Sequence, residues 1–216
     1  MSIKIILIGA PGSGKGTQAK KLKDMTGCLH IATGDILREA IRSNSELGIK
    51  AKDYIDNGKL VPDNIIIDMM KEKLQSINSI TGFILDGFPR TIPQAKSLDN
   101  ILEEIGIKLD KVVYIDVSLD EIVKRMAGRL TCPTCGKSYH KIFNKPKQDN
   151  LCDVDGAELI VREDDKTEVV IGRYNTFESQ TEPLIEYYDK NKMLASIDGE
   201  KDIDEIFTNI VNKLKL

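Results

Sequence analysis

The segment that most constrains this chain is a glycine-rich loop at residues 9–17, Gly-Ala-Pro-Gly-Ser-Gly-Lys-Gly-Thr. An apolar, β-branched run precedes it at residues 3–8, and a helical pattern follows at residues 18–22. This order is typical of a phosphate-binding loop, because glycines bring backbone N–H groups against an anion while Lys15 and the helix N-terminus add positive charge. The alternative is a tight strand-to-helix turn that binds nothing.

The hydroxyl group expected after the lysine of such a loop is displaced by one position. Gly16 follows Lys15, and Thr17 comes next. In the general motif the Ser or Thr directly after the lysine reaches a magnesium ion. We therefore expect phosphates, water and a carboxylate elsewhere in the chain to hold that ion.

Length and composition favour a globular protein with a substantial core. The chain has 216 residues, of which 41% are apolar and 30% charged, with a net charge of −3. That mild acidity gives no electrostatic footprint for nucleic acid, and no apolar stretch approaches the roughly 20 residues that span a bilayer. The first apolar run leads directly into the loop and is too short for a signal peptide. We expect a cytosolic protein that binds neither nucleic acid nor membrane, with its cysteines as thiols or metal ligands.

Helical and strand-like patterns alternate along the chain, which predicts an α/β fold with a parallel sheet flanked by helices, as in P-loop NTPases. Residues 32–61 exceed a single crossover helix and are predicted to form an inserted helical subdomain. Its helical pattern runs from Thr33 through Tyr54, and Asn57-Gly58 is a stop signal. Later, Pro183 should kink a helix or begin a new one, and residues 203–214 should form an amphipathic helix.

A second motif, residues 82–90, ends an apolar strand in an aspartate and continues into a Gly/Pro turn with an arginine. Asp86 would lie at the carboxyl end of its strand beside the phosphate loop, where a carboxylate can hold hydrated magnesium. The alternative is an aspartate that caps the next helix.

Two arginines four positions apart, Arg125 and Arg129, are predicted to share one face of a helix. Like charges on one face repel each other unless an anion lies between them, so a phosphate is expected there. A solvated helix face is the alternative.

Residues 130–165 lack aliphatic periodicity and contain three of the four cysteines. Cys132 and Cys135 form a C-x2-C pair, and Cys152 and Asp155 form a C-x2-D pair sixteen residues later. Two ligand pairs at this spacing predict a closed, structural zinc site that holds together a segment too polar to fold by burial. The alternatives are a Cys132–Cys135 disulfide and His140 as the fourth ligand in place of Asp155.

Four motifs in this order resemble the adenylate kinase family in its bacterial long-lid, zinc-bearing form, over essentially the whole chain. They are residues 9–17, Thr-Gly-Asp-Ile-Leu-Arg at 33–38, Asp-Gly-Phe-Pro-Arg at 86–90 with Gln94, and Arg-Glu-Asp-Asp at 162–165. The resemblance implies a monomer that transfers the terminal phosphoryl group of Mg-ATP to AMP, giving two ADP. It also implies a core of residues 1–31, 62–127 and 166–216, an AMP-binding insert at 32–61 and a zinc-bearing lid at 128–165.

The resemblance further implies a role for each site residue. The donor nucleotide would contact Gly12, Ser13, Gly14, Lys15, Gly16, Thr17, Arg125, Arg129, Ser138, Tyr139 and Lys201. AMP would contact Thr33, Arg38, Lys59, Leu60, Val61, Gly87, Phe88, Pro89, Arg90, Gln94, Arg162 and Arg173. The catalytic cations around the transferred phosphoryl group would be Lys15, Arg90, Arg129, Arg162 and Arg173. Asp86 would orient the hydrated magnesium ion.

Two other functions stay open at the level of sequence. One is a sister kinase that acts on UMP, CMP or GMP, against which the metal-bearing lid and Gln94 favour AMP. The other is a non-catalytic zinc protein that senses adenylates or binds RNA. The many arginines around one phosphate and the mild acidity of the chain argue against this second alternative.

Overall fold

Strands and helices alternate through most of the chain, as a computed structural model of residues 2–57, 59–77 and 82–216 describes. The strands are Lys4–Ile8 (β1), Leu29–Ala32 (β2), Phe83–Asp86 (β3), Lys111–Asp116 (β4), Arg129–Thr131 (β5), Ser138–His140 (β6) and Leu194–Asp198 (β7). The helices are Lys15–Thr26 (α1), Thr33–Arg42 (α2), Glu46–Asp56 (α3), Asp63–Gln75 (α4), Ile92–Glu104 (α5), Leu119–Ala127 (α6), Thr167–Thr176 (α7), Pro183–Lys190 (α8) and Ile203–Leu214 (α9).

Five parallel strands form the central sheet in the order β2-β3-β1-β4-β7. Helices cover it, so Ile5, Ile6 and Ile84 are fully buried, as expected of parallel strands that read as continuous apolar runs. The predicted α/β fold is confirmed. In the register, Asp86 of β3 pairs with both Leu7 of β1 and Ala32 of β2. The loops after these three strands therefore meet at one edge of the sheet, where parallel α/β folds bind ligands.

The helical pattern predicted from Thr33 through Tyr54 is wrong in one respect, because the structure has two helices there, α2 and α3. The chain reverses at Asn44, whose φ is 51°, and the Ser45 hydroxyl caps α3 by accepting from the Gly48 N–H at 3.1 Å. Gly48 allows close packing, since a Cβ there would lie 2.0 Å from the Ala40 carbonyl oxygen. The stop at Asn57 is consistent with the end of α3, whereas Gly58 lies outside the described residues.

The expectation that Arg125 and Arg129 share a helical face is also wrong. Helix α6 ends at Ala127, and Arg129 begins β5, which pairs antiparallel with β6. The reason is Gly128, where a Cβ would lie 2.4 Å from the His140 ring and where the carbonyl accepts from the Lys141 N–H at 2.9 Å. The hairpin β5–β6 therefore replaces the last turn of the predicted helix.

The elements predicted for the C-terminal part of the chain are confirmed. Helix α7 ends at Thr176, a π-helical turn spans Phe177–Thr181, and α8 begins at Pro183, so the proline starts a new segment. Helix α9 has the bounds predicted for the closing helix and buries Ile206 and Ile210. No helix within the part of the chain that the structure describes is long and apolar enough to cross a membrane.

Candidate functional site

The glycine loop surrounds the end of the Lys15 side chain. Gly12 and Gly14 have φ values of 85° and 91°, which only glycine adopts readily, and α1 begins directly after them. Lys15 Nζ donates to the carbonyl oxygens of Gly9 at 2.6 Å and Ala10 at 2.8 Å. The ammonium group is thus fixed over the loop, next to the N–H groups of the first turn of α1, in the geometry that holds a phosphate.

The surroundings of Lys15 disfavour its charge when no anion is present. Burial, assisted by the charges of Arg90, Arg173 and Arg129 and opposed by Asp86, lowers the pKa of Lys15 to about 8. A phosphate at this position would reverse the effect, because an opposite charge at close range favours the charged amine.

Asp86 lies beside the loop at the carboxyl end of β3. Burial raises the pKa of its carboxyl group, but His30, Lys15 and Arg90 outweigh burial and hold the pKa below its usual range. A Cβ at Gly16 would lie only 3.5 Å from Asp86 Oδ2, so the glycine gives the carboxylate room beside the loop. An ionised carboxylate here fits the hydrated magnesium ion predicted from the sequence.

His30 is a contact of this site that the sequence did not identify. Its side chain is only 9% exposed, and its Nε2 lies 3.3 Å from Asp86 Oδ2. The polar residue in an otherwise apolar strand was the available signal. Its partner could not be found without the adjacency of β2 and β3.

Arginines from three segments are held by two neighbouring carboxylates. Asp164 accepts from Arg162 Nε at 2.8 Å and from Arg173 Nη1 at 2.7 Å. Buried Asp165 accepts from Arg129 Nε at 2.7 Å and also from its Nη2. These cations hold the pKa of Asp164 well below its usual range despite burial.

The predicted catalytic cations are close enough to perturb one another. Burial, assisted by Arg129, Arg162 and Arg90 and opposed by Asp164, lowers the pKa of Arg173 to about 10. The positive charges of Arg90, Arg173 and Arg129 likewise lower the pKa of Lys15. The structure therefore brings together all five cations that the sequence singled out. The carboxylates that position them, Asp164 and Asp165, lay within a recognised motif but were given no role.

The turn after β3 is fixed by a network of side chains. Arg90 donates its backbone N–H to Gln94 Oε1 at 2.7 Å and its Nε to the Gly87 carbonyl at 2.8 Å. Gln94 Nε2 in turn donates to Asp63 Oδ1 at 2.7 Å. Asp63 also accepts from the Thr91 hydroxyl at 2.8 Å. The sequence did not identify Asp63, which lies 31 positions before Gln94.

The other residues predicted to bind AMP lie around this turn and along the helices of residues 32–61. Thr33 is buried, and among the described residues its hydroxyl has no hydrogen-bond partner. Arg38 pairs with Asp35, and burial together with Arg162 lowers the Arg38 pKa. The remaining positions are Lys59, exposed; Leu60 and Gly87, half-buried; and Val61, Phe88 and Pro89, buried.

The predicted donor residues outside the loop are less closely grouped. Arg125 donates to Glu121 Oε1 at 2.8 Å, Ser138 is exposed in β6, and Lys201 is exposed in the turn before α9. The Tyr139 ring is buried, and its hydroxyl lies 3.4 Å from Cys152 Sγ. A nucleotide would therefore reach Tyr139 through its backbone rather than its side chain.

The predicted metal ligands form one cluster. Their ligand atoms, from Cys132, Cys135, Cys152 and Asp155, all lie within 4.8 Å of one another. Cys135 Sγ is 3.5 Å from Cys152 Sγ, and Cys132 Sγ is 3.4 Å from each Asp155 carboxylate oxygen. A tetrahedral zinc ion with Zn–S bonds of about 2.3 Å would separate two sulfurs by about 3.8 Å. The four groups can hold one metal ion.

The alternatives for this cluster do not match the structure. All three cysteines of the cluster are free thiols, so the Cys132–Cys135 disulfide is absent. His140 Nδ1 accepts from the backbone N–H groups of Ile142 at 3.0 Å and Phe143 at 3.1 Å, away from the sulfurs. Asp155, rather than His140, lies with the three sulfurs in the cluster.

Comparison with known proteins identifies the family. The family model for adenylate kinase matches residues 7–193. The chain belongs to the adenylate kinase family. Adenylate kinase from Methanocella arvoryzae is 50% identical over 208 residues, covering 96% of each chain. The adenylate kinases of Methanosarcina barkeri and Acetivibrio thermocellus are 51% identical over 213 residues and 49% identical over 212 residues, covering 99% and 98% of each chain.

Proposed function

We propose that the chain transfers the terminal phosphoryl group of Mg-ATP to AMP, reversibly, giving two molecules of ADP. The observation that carries this proposal is the convergence of Lys15, Arg90, Arg129, Arg162 and Arg173 beside a phosphate-binding loop. Curated adenylate kinases about half identical to this chain over nearly its full length support the same activity.

Phosphoryl transfer needs alignment and charge stabilisation more than covalent help from the protein. In the proposed mechanism the loop and Lys15 hold the donor phosphates, while Arg38 and Arg90 hold the phosphate of AMP. Arg129, Arg162 and Arg173 surround the moving group. Because Asp164 and Asp165 fix the directions of these three arginines before substrate binds, little reorganisation is needed in the transition state.

Asp86 would hold the hydrated magnesium ion that accompanies ATP. Its ionised state, its position beside the loop and the room left by Gly16 support this assignment. The ion supplies charge neutralisation on the donor phosphates. His30 fixes the carboxylate from the adjacent strand.

We propose that residues 128–165 are a lid over the donor and that residues 32–61 are an AMP-binding insert, both carried by a core of residues 1–31, 62–127 and 166–216. A small separate hydrophobic cluster within residues 130–159 supports an independent lid. Closure of both inserts would exclude water, which would otherwise hydrolyse the donor.

We further propose that the cysteine cluster holds structural zinc. Three thiolates and one carboxylate complete a tetrahedral shell and leave no position for a substrate. The backbone N–H groups of Cys135 and Val154 each lie 3.4 Å from a ligand sulfur and support the thiolate form. Such ligands also favour a reducing compartment, so we propose that the enzyme is cytosolic. We also propose that it acts as a monomer, which light scattering tests.

The experiment for the proposed activity is a measurement of ADP formed from Mg-ATP with AMP, GMP, CMP or UMP as acceptor. We expect turnover with AMP alone. Preferred turnover with another acceptor would place the protein among the sister kinases. ATP binding without turnover on any acceptor would favour the adenylate-sensing alternative.

Substitution of Asp63 should selectively weaken the binding of AMP. In an Asp63→Ala variant the Gln94 amide and the Thr91 hydroxyl lose their acceptor, and the turn at Arg90 loses its support. We expect the KM for AMP to rise about tenfold, with little change in the KM for ATP. Steady-state kinetics with each substrate varied in turn test this, and an Asp68→Ala variant on the same helix is the control. Equal rises in both KM values would contradict the assignment.

Activity should depend on pH through Lys15. Since its pKa is lowered to about 8 in the free enzyme, its charge is present below that pH and lost above it. Bound phosphates raise the pKa again. We therefore expect kcat/KM for Mg-ATP to fall above about pH 8 while kcat stays constant, because kcat/KM reports the free enzyme and kcat the complex. The kcat/KM for AMP at saturating ATP is the internal control, and a parallel decline in kcat would contradict the prediction.

A further inference from the structure

The metal-ligand turn, residues 132–136, is contacted by cations from two other parts of the molecule. Arg42, at the end of α2, donates from Nη1 to the Pro133 carbonyl oxygen at 2.8 Å. Lys20, on α1, donates from Nζ to the Gly136 carbonyl oxygen at 3.3 Å. The turn therefore contacts both the insert and the helix that follows the phosphate loop.

Backbone hydrogen bonds close the turn that carries both carbonyl acceptors. The Gly136 N–H donates to the Cys132 carbonyl at 3.1 Å, and the Cys132 N–H donates to the Lys137 carbonyl at 2.9 Å. Gly136 has a φ of 69°, which closes the turn around the ligand pair. A metal bound by Cys132 and Cys135 would hold the same backbone. Both acceptors thus belong to one hydrogen-bonded turn.

Within the described residues, Arg42 and Lys20 share no hydrogen-bond or ion-pair partner with the predicted catalytic cations. Arg42 lies four positions after Arg38, so both project from one face of α2. Arg38 is close enough to Arg162 for their charges to interact, whereas Arg42 reaches the metal-ligand turn at the rim. Glu39, one turn back on α2, pairs with the Arg42 guanidinium and orients it. Lys20 is exposed, and its ammonium group donates to the Gly136 carbonyl oxygen.

We propose that Arg42 and Lys20 are positioning residues that latch the metal-ligand turn of the lid onto the insert and the core, and so set the population of the closed state. This inference rests on the proposed phosphoryl transfer between nucleotides enclosed by the two inserts. Neither Arg42 nor Lys20 is among the residues expected to contact a nucleotide. It stabilises only the closed arrangement, since opening the lid separates both donor–acceptor pairs.

A weaker latch should change substrate affinity without changing the chemistry. When the binding-competent state is less populated, apparent affinities for both substrates fall by the same factor. Release of product does not slow, because it requires opening. For an Arg42→Ala, Lys20→Ala double variant we expect the KM values for AMP and Mg-ATP to rise together, by about threefold to tenfold, with kcat unchanged or higher.

The matched control is Lys50→Ala. Lys50 is also an exposed cation of the insert, but it pairs with Glu46 on its own helix. An Arg42→Lys variant keeps a donor that can reach the Pro133 carbonyl. It should therefore keep most of the substrate affinity that Arg42→Ala loses. A loss of kcat at unchanged KM values would overturn the latch, because it would place these residues in the chemical step.

A direct readout of closure separates the latch from the proposed activity. Dyes attached through unnatural amino acids at Asp53 of the insert and Asp149 of the lid avoid the metal thiols, and energy transfer between them reports the closed fraction. We expect a smaller closed fraction in the double variant than in the parent or the Lys50→Ala control, both without nucleotide and with ADP. Equal closed fractions would overturn the latch. Absence of turnover in the parent would overturn the proposed function and leave this measurement valid.

Discussion

Replacement of Lys15 with methionine is expected to lower kcat by about a thousandfold, because it removes the one ammonium group inside the phosphate loop. Methionine has nearly the same length and keeps the packing of the stem. Lys15 Nζ occupies the position between the Gly9 and Ala10 carbonyls that a donor phosphate would face. The loss would fall mainly on kcat, since the charge matters most where negative charge moves between phosphates.

The control for this substitution is Lys23→Met, which changes an exposed lysine on the same helix, two turns beyond the loop. Circular dichroism and thermal unfolding should be the same for both variants. Coupled assays of ADP formation with Mg-ATP and AMP measure the effect. A Lys15→Met enzyme within tenfold of the parent would contradict the role assigned to the loop.

Removal of the lid metal is expected to unfold the lid while the sheet stays intact. The lid cluster consists of Leu130, Cys132, Tyr139, Cys152 and Leu159, so two of its five buried members are themselves metal ligands. Without the ion these thiols are only small hydrophobes, whereas a structural zinc site contributes about 10 kcal/mol or more of binding free energy. We expect turnover to fall at least tenfold after chelation, because the lid can no longer order the donor side.

Metal content and hydrogen exchange test this expectation together. The parent and a Cys28→Ala variant should each carry one zinc ion per chain, since Cys28 is buried beside Ile3 in the main core. A Cys135→Ser variant should lose the metal. Amides of residues 129–160 should then exchange rapidly, while those of the central strands remain protected. Lid amides that stay protected after complete loss of metal would refute the structural role.

Much of the architecture could be predicted because its causes are local in sequence. The phosphate loop depends on glycines with positive φ between a buried strand and a helix, and the metal cluster depends on two short ligand pairs. Both signals lie within a few consecutive residues. Asp86 could be placed because the ends of parallel strands share one edge of the sheet.

The missed features depend on contacts between distant segments. The pairing of His30 with Asp86 needs the strand order, and the support of Gln94 by Asp63 needs the packing of α4 against α5. Arg129 was assigned to a helix because nothing near it indicates that His140 occupies the space beside Gly128. The break at Asn44 depends on the close packing of two helices that the periodicity joined into one.

The pairing of the site cations with acceptors in the protein also makes the site selective for ligand charge. Arg129, Arg162, Arg173 and Arg38 each have a carboxylate partner, and Lys15 is held by carbonyls. A lone orthophosphate can pair with only one or two of these cations. The ion pairs that it forms replace ion pairs that the cations already have, so its net gain in binding free energy is small. Two nucleotides bring several phosphates at once and can recruit the whole group. We therefore expect small inorganic anions to inhibit the enzyme only weakly, although the site is rich in positive charge.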